Sequence, residues 1–206
     1  MKFLLWITTI ASLSITAHAS TIYILSDALD TTNDSSSPTM DITRNPTWAP
    51  AFAGTEWISY GPTGSHSEPG YFSPPNGTIV TFTIEFTLTG AILGGRLRVL
   101  ADDTTSVVLN GKTLMAPDLT LGSACAASPI GCVTSSEGVF DFAALSPYLK
   151  DGINTLSFAV SQLHGSSFGL DFKGTVRTDP AETPEPSAWA IIAGGLLCLA
   201  VLRKRN

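Results

Sequence analysis

One segment of the chain constrains the fold more than any other, because residues 78–90 alternate strictly between apolar and polar side chains. The apolar positions are Val80, Phe82, Ile84, Phe86 and Leu88, and the polar ones are Thr81, Thr83, Glu85, Thr87 and Thr89. A period of two is typical of a β-strand that covers a core with one face and meets solvent with the other. The segment therefore predicts an antiparallel sheet with one buried face.

The rest of the chain between residues 20 and 178 also predicts short strands separated by turns. Asn110-Gly111 is the strongest short hairpin signal, because both turn residues tolerate a positive φ. Further strands are predicted at 97–101, 106–109, 112–114, 138–142, 154–160 and 169–177. Helical periodicity longer than two turns is not found in this region. An all-β fold with a single β-sandwich is expected, whose core includes Val80, Phe82, Ile84, Phe86, Leu88, Val108, Leu156, Phe158 and Val160.

Both ends of the chain carry targeting signals. Lys2, an apolar stretch and Ala17-His18-Ala19 before Ser20 predict a secretory signal peptide over residues 1–19, the alternative being a buried N-terminal strand or helix. Residues 179–186 have the acidic, proline-bearing composition of a linker.

Residues 187–202 predict a C-terminal transmembrane helix. The stretch 189–202 spans about 21 Å at about 1.5 Å per residue, which also leaves a buried core helix open. Gly194-Gly195, Trp189 and the basic tail at residues 203–206, which contains Arg203, Lys204 and Arg205, favour a membrane helix whose basic end is cytoplasmic.

The order of Pro184-Glu185-Pro186, an apolar run and Arg203-Lys204-Arg205 resembles the PEP-CTERM sorting tail, of the type also called the ice-binding protein C-terminal domain. The resemblance covers residues 184–206. It implies a substrate of an exosortase that cuts near Pro184-Glu185-Pro186. The protein would pass the export machinery and be anchored in the inner membrane with its ectodomain in the periplasm. After processing it would reach the cell surface or the extracellular matrix, where exopolysaccharide is the implied partner.

A second resemblance concerns the ectodomain, residues 20–178. Ala101-Asp102-Asp103, Val107-Val108-Leu109-Asn110-Gly111 and the later stretch 149–156 are similar to galactose-binding-like jelly rolls. This resemblance implies that the β-sandwich is of jelly-roll type, and it says little about function because that fold hosts many unrelated tasks. Residues 26–76 match no such pattern and predict long loops between few strands.

Charge and cysteine content limit the partners. Residues 20–181 hold seven Lys and Arg against fifteen Asp and Glu, so nucleic-acid binding is not expected. Cys125 and Cys132 are expected to form a disulfide, because the exported compartment is oxidising and no further Cys or His stands nearby to complete a zinc site. Cys198 is interpreted as a small apolar residue of the tail.

Three groups of residues are candidates for binding. Adjacent Asp102 and Asp103 offer the hard oxygen ligands that calcium takes, although a turn in which Asp accepts backbone N–H groups explains them as well. Trp48, between two prolines, is the candidate surface aromatic for a glycan, with Tyr71 as a second candidate. Trp57 is expected in the core. Beyond a candidate calcium ion, no cofactor is expected.

Catalytic signals are weak. Gly165-Ser166-Ser167-Phe168-Gly169 has the letters of a nucleophile elbow, but a strand rather than a helix is predicted after it. His66 and His164 stand alone in loops and form no metal motif. No catalytic residue is predicted. A non-enzymatic surface or matrix protein is therefore the leading hypothesis, a jelly-roll carbohydrate-binding module is the alternative, and a secreted hydrolase comes third.

Overall fold

Two antiparallel sheets face each other across an apolar core in the computed structural model, which describes residues 19–120, 125 and 129–179. The predicted signal peptide, Pro184-Glu185-Pro186, the helix 187–202 and the basic tail lie outside the described residues. Within the described ranges, no helix is both long enough and apolar enough to cross a membrane.

Each sheet has six strands. Sheet A consists of β1 (Ser20–Leu25), β3 (Met40–Asp41), β4 (Ile58–Ser59), β6 (Ile92–Asp102), β10 (Gly138–Asp141) and β12 (Gly169–Thr178). Sheet B consists of β2 (Thr32–Asn33), β5 (Ile79–Leu88), β7 (Thr104–Thr105), β8 (Val107–Leu109), β9 (Lys112–Met115) and β11 (Gly152–Ser161). A short helix α1 (Phe142–Leu145) and 3-10 turns at Thr134–Ser136 and Ser146–Tyr148 connect β10 to its neighbours.

The four long strands wind in pairs. β5 and β6 follow each other in sequence but lie in opposite sheets, and so do β11 and β12. β5 pairs with β11 from Ile79 to Leu88, and β6 pairs with β12 along nearly its whole length. The β5–β11 pair of sheet B therefore faces the β6–β12 pair of sheet A, and the chain crosses from one sheet to the other between consecutive strands, which is a jelly-roll arrangement. The predicted all-β, jelly-roll-like β-sandwich is confirmed.

The register predicted for residues 78–90 is also confirmed. The apolar set of β5 is buried and pairs in register with the apolar set of β11, as in the pairs Phe82–Phe158 and Ile84–Leu156. Val108 is the one wrong member of the predicted core, because it is only half-buried. Leu109 lies opposite Leu156, so Leu109 faces the core and Val108 faces outward.

A second apolar cluster covers the outer face of sheet A. We call residues 42–57 the cap loop, because Trp48, Phe52 and Trp57 from it pack with Leu100 of β6. Cys125 and Cys132 belong to the same cluster, and they form the predicted disulfide. The cap loop does not cover the part of sheet A nearest β1, where the outer-face residues Tyr23, Arg96 and Arg177 are exposed.

Candidate functional site

A groove of about 610 Å³ lies at the edge of the sandwich where β1 of sheet A faces β5 of sheet B. It exists because the described strands leave this edge unpaired. β1 pairs with β12, and β2 pairs with β5 at Thr83 and Phe82, so β5 beyond Thr83 lacks a described neighbour on that side. The groove is lined by Tyr23, Ile24, Leu25, Asp30, Thr32, Thr83, Ile84, Glu85 and Phe86.

The alternation along β5 gives the groove an apolar floor and a polar rim. Ile84 and Phe86 point into the sandwich and form part of the floor, whereas Thr83 and Glu85 project on the other side of the strand. Asp30 adds a second exposed carboxylate to the lining. An apolar surface with a few polar groups at its margin is typical of small-ligand sites.

Tyr23 supplies an exposed aromatic ring, with 62% of its surface accessible. Its neighbour Ile24 is buried, and the Cβ that a residue larger than glycine would carry at Gly174 would lie 3.0 Å from Ile24. Gly174 therefore makes room for Ile24 beneath β1. Because side chains alternate along a strand, anchoring Ile24 turns Tyr23 outward.

This arrangement suits a sugar ring. A pyranose has an apolar face of C–H groups, which can stack on an aromatic side chain, and hydroxyl groups at its edge. The carboxylates of Asp30 and Glu85 accept hydrogen bonds from such hydroxyls, and charge-assisted hydrogen bonds are the strong ones. Sequence reasoning did not find Tyr23, Asp30 or Glu85. The available signal was Tyr23 standing between Ile22 and Ile24 in a strand pattern.

The two predicted glycan-binding aromatics lie elsewhere. The expectation that Trp48 is a surface residue is wrong, because only 3% of it is accessible. Its ring packs against Trp57 with centroids 4.3 Å apart. Tyr71 is half-buried, and its ring centroid lies 4.4 Å from that of His66. Neither Trp48 nor Tyr71 lines the groove.

Asp102 and Asp103 are buried acceptors of N–H groups. Oδ2 of Asp102 accepts from the Trp48 indole at 2.8 Å. Oδ2 of Asp103 accepts from the backbone N–H groups of Leu163 and His164, at 2.6 and 2.9 Å. Burial raises the pKa of Asp102 well above its ordinary value, and the neighbouring Asp103 raises it further, while the Trp48 bond opposes the rise.

These surroundings do not fit a calcium ion. Calcium needs several oxygen ligands that converge on one point, whereas N–H donors occupy an oxygen of each carboxylate. Atoms of Asp102, Cys125 and Cys132 do lie within 4.8 Å of one another. The two sulfurs form a disulfide, however, and so provide no thiolate for a metal. Asp103 fits the other expectation better than it fits a calcium site, because it accepts backbone N–H groups. Its donors are Leu163 and His164, which lie in a distant loop and not in its own turn.

A third buried carboxylate, Asp171 on β12, was missed by sequence reasoning. It accepts hydrogen bonds from the Ser26 and Thr55 hydroxyls, at 2.8 and 2.6 Å, and from the backbone N–H of Phe52 at 2.9 Å. Burial raises its pKa to about 6, and the three hydrogen bonds limit that rise. Asp171 thus joins the cap loop to sheet A.

The G-x-S-x-G stretch is not a nucleophile elbow. Ser167 is fully buried, accepts a hydrogen bond from the Asn45 amide at 2.7 Å and donates one to the carbonyl of Gly64. β12 begins at Gly169, so a strand follows instead of a helix. His164 is exposed, as expected, and its Nδ1 lies 3.5 Å from Asp103 rather than beside Ser167.

The chain matches no family model and no curated protein. Among solved structures, it is similar to a family 35 carbohydrate binding module from Clostridium thermocellum, at 12% identity and a TM-score of 0.40, over 75% of this chain and 97% of the other. It is also similar to part of a Streptomyces avermitilis alpha-L-rhamnosidase complexed with L-rhamnose, at 23% identity and a TM-score of 0.41. This match covers 70% of this chain and 12% of the other. Likeness at these scores carries no inference about the ligand.

Proposed function

We propose that the β-sandwich is a carbohydrate-binding module that holds neutral sugar units in the groove between β1 and β5. The observation that carries this proposal is the exposed ring of Tyr23 beside an apolar floor and two rim carboxylates. Tyr23 lies at the rim of the groove, on the outward side of β1, and its ring supplies the apolar contact for the C–H face of a sugar. The carboxylates select a ligand that is rich in hydroxyl donors.

The charge of the rim favours neutral sugars in the groove. Asp30 and Glu85 are both exposed carboxylates, and the groove lining contains no Lys, Arg or His among the described residues. An anionic sugar would be repelled by both groups, whereas a neutral sugar donates its hydroxyl protons to them. Neutral hexose or pentose units are therefore the proposed ligands of the groove.

The module is proposed to bind without cleaving its ligand. Glycosidases act with a pair of carboxylic residues, so the presence of Asp30 and Glu85 in the lining makes cleavage the competing outcome. The one catalytic motif in the sequence places Ser167 in the interior. Incubation of the full chain with xyloglucan, galactomannan, arabinoxylan or dextran should release no reducing ends. Steady release from any of them would contradict this part of the proposal.

The ends of the chain motivate a cellular role for this binding. The predicted signal peptide and the PEP-CTERM resemblance support an exported protein that exosortase processing delivers to the cell surface or the matrix. Exopolysaccharide is then the material that surrounds the module. We therefore propose a surface or matrix protein that binds exopolysaccharide. This role combines the leading hypothesis from the sequence, a surface or matrix protein, with the alternative, a carbohydrate-binding module.

Affinity electrophoresis tests the proposal. The purified full chain is run through native gels that contain xyloglucan, galactomannan, arabinoxylan or dextran. We expect retardation by at least one of them, a loss of that retardation in Glu85→Gln, and full retention in Glu56→Gln. Glu56 is the matched control, because it is exposed and does not line the groove. Equal retardation of both variants would contradict the groove as the site.

A further inference from the structure

Positive charge is concentrated on the uncovered part of sheet A. The described residues contain seven Lys and Arg, and four of them lie on neighbouring positions of β6 and β12: Arg96, Arg98, Lys173 and Arg177. Lys173 lies opposite Arg98, and Thr175 lies opposite Arg96. Residues directly opposite each other in an antiparallel pair project from the same face, so these four cations share the outer face. The face is basic although the domain is acidic.

Two of the four cations are already engaged with protein groups. Arg98 binds both carboxylate oxygens of Glu137 at 2.6 Å, and its guanidinium lies 4.3 Å from the Phe52 ring centroid. Lys173 donates to the carbonyl of Ala53 in the cap loop. Arg98 and Lys173 therefore help to hold the cap loop on sheet A.

Arg96 and Arg177 differ from this pair. Both are exposed, and no carboxylate of residues 19–120 or 129–179 lies within salt-bridge distance of either. Asp141 lies opposite Arg96 on β10, but its carboxylate accepts the N–H of Ala143 at the start of α1. Asp179 follows β12 and is exposed, and it lies beyond salt-bridge distance of both Arg96 and Arg177.

A glycine brings the two guanidinium groups to one strand. Gly94 lies opposite Arg177 and two positions before Arg96 on the same face of β6. The Cβ position of Gly94 lies 3.9 Å from Nη2 of Arg177, so the Arg177 guanidinium reaches across to β6. With no side chain at Gly94, the Arg177 guanidinium lies over β6 two positions before Arg96, on the face that carries Arg96.

Tyr23 completes a row with these cations. It lies opposite Thr175 on β12, which in turn lies opposite Arg96 on β6. With strands about 4.8 Å apart, the Cα atoms of Tyr23 and Arg96 are separated by on the order of 10 Å. We call Tyr23, Thr175, Arg96 and Arg177 the basic row. It adjoins the groove at Tyr23 but lies on the outer face of sheet A.

We infer that the basic row binds a carboxylated sugar of an acidic polysaccharide. The sugar ring stacks on Tyr23, the Thr175 hydroxyl bonds a ring substituent, and the carboxylate lies on the guanidinium groups of Arg96 and Arg177. Guanidinium groups bind carboxylates through paired, parallel N–H bonds, which a single ammonium cannot make. The inference goes beyond the neutral sugars proposed for the groove, and it stands on different residues except for Tyr23.

Affinity electrophoresis of the full chain with polygalacturonate tests the inference. We expect retardation by polygalacturonate at moderate salt, weakened at least tenfold in the double variant Arg96→Gln/Arg177→Gln. The matched control is Lys112→Gln/Lys150→Gln, which removes two exposed cations from elsewhere and should retain the wild-type affinity. Melting temperatures of both variants establish that they are folded.

Several outcomes would overturn the inference. Equal loss in both double variants would show that only net charge matters. Equal wild-type binding to dextran sulfate would show that a carboxylate is not selected. Binding to phosphatidylglycerol vesicles without binding to polygalacturonate would assign the row to a lipid surface instead. Neutral-polysaccharide binding is measured on the same variants, so a failure of the basic row is distinguishable from a failure of the groove.

Discussion

The indole N–H of Trp48 donates a hydrogen bond to the carboxylate of Asp102 over 2.8 Å, and both side chains are buried. The bond joins the cap loop to the end of β6. The ring of Trp48 also lies directly over Gly169, where a Cβ would come within 3.0 Å of it. Trp48 is therefore a structural residue of the second apolar cluster and not a surface platform for a sugar.

Replacing Trp48 with Phe should destabilise the protein while leaving sugar binding unchanged. The variant keeps an aromatic ring but loses the N–H, so Asp102 is left buried without its donor. The expected loss is about 1–3 kcal/mol in the free energy of unfolding. Urea denaturation measures it, with the exposed Thr47→Ala as control. A variant as stable as the wild type would refute the structural role of this bond.

Stability should fall as pH rises through the titration of Asp171. Its folded pKa, about 6, lies above the ordinary value of 3.8, so the folded state binds the proton more tightly than the unfolded state. The neutral carboxyl therefore stabilises the fold at low pH, and this contribution disappears between about pH 4 and pH 6. The loss is about 3 kcal/mol at most, and the raised pKa of Asp102 acts in the same direction.

Asp171→Asn tests whether Asp171 causes this pH dependence of the free energy of unfolding. The amide cannot ionise, so the variant should lose a large part of the slope between pH 4 and pH 7. The Asn oxygen can accept the Phe52 N–H while its NH2 group donates to the Ser26 and Thr55 hydroxyl oxygens, so the variant is expected to keep most of the wild-type stability at pH 4. Asp151→Asn, at an exposed position, is the control and should keep the wild-type slope. An unchanged slope in Asp171→Asn would assign the dependence to other groups.

The Cys125–Cys132 disulfide should protect two of the three cysteines from labelling. In the folded, unreduced full chain, neither Cys125 nor Cys132 is expected to react with a thiol reagent. Cys125→Ser/Cys132→Ser should lose about 2–3 kcal/mol, the chain-entropy value for so short a loop. Mass spectrometry of the labelled protein counts the thiols. Labels on both Cys125 and Cys132 of the unreduced protein would refute the bond.

Local patterns in the sequence were sufficient for the long strands β5, β6, β11 and β12 and for the main core. The period of two in residues 78–90 fixes which side of β5 is buried, whatever strand lies beside it. The cap loop could not be predicted in the same way, because Phe52 meets Asp171 across 119 positions of sequence. Tyr23 was missed for a similar reason. Its exposure depends on the cap loop not covering the outer face of sheet A at β1, which is a property of tertiary packing and not of local sequence.

The sorting prediction is tested on the mature protein from its native host. If the N-terminal signal and the PEP-CTERM tail act as proposed, the mature chain should begin at Ser20 and end near Pro184-Glu185-Pro186. Intact-mass spectrometry of the surface and matrix fractions measures both ends. Residues 187–206 present on most molecules would contradict processing, and a mature chain that begins at Met1 would contradict export.

Carbohydrate binding at the groove is tested most directly by calorimetric titration of the full chain and its tyrosine variants. The titrant is an oligosaccharide of the neutral polysaccharide that retards the protein most. Tyr23→Ala is compared with Tyr148→Ala, because both tyrosines are exposed and only Tyr23 lines the groove. We predict at least a tenfold loss of affinity in Tyr23→Ala, about 1.4 kcal/mol, and wild-type affinity in Tyr148→Ala. Equal affinity of the two variants would contradict it.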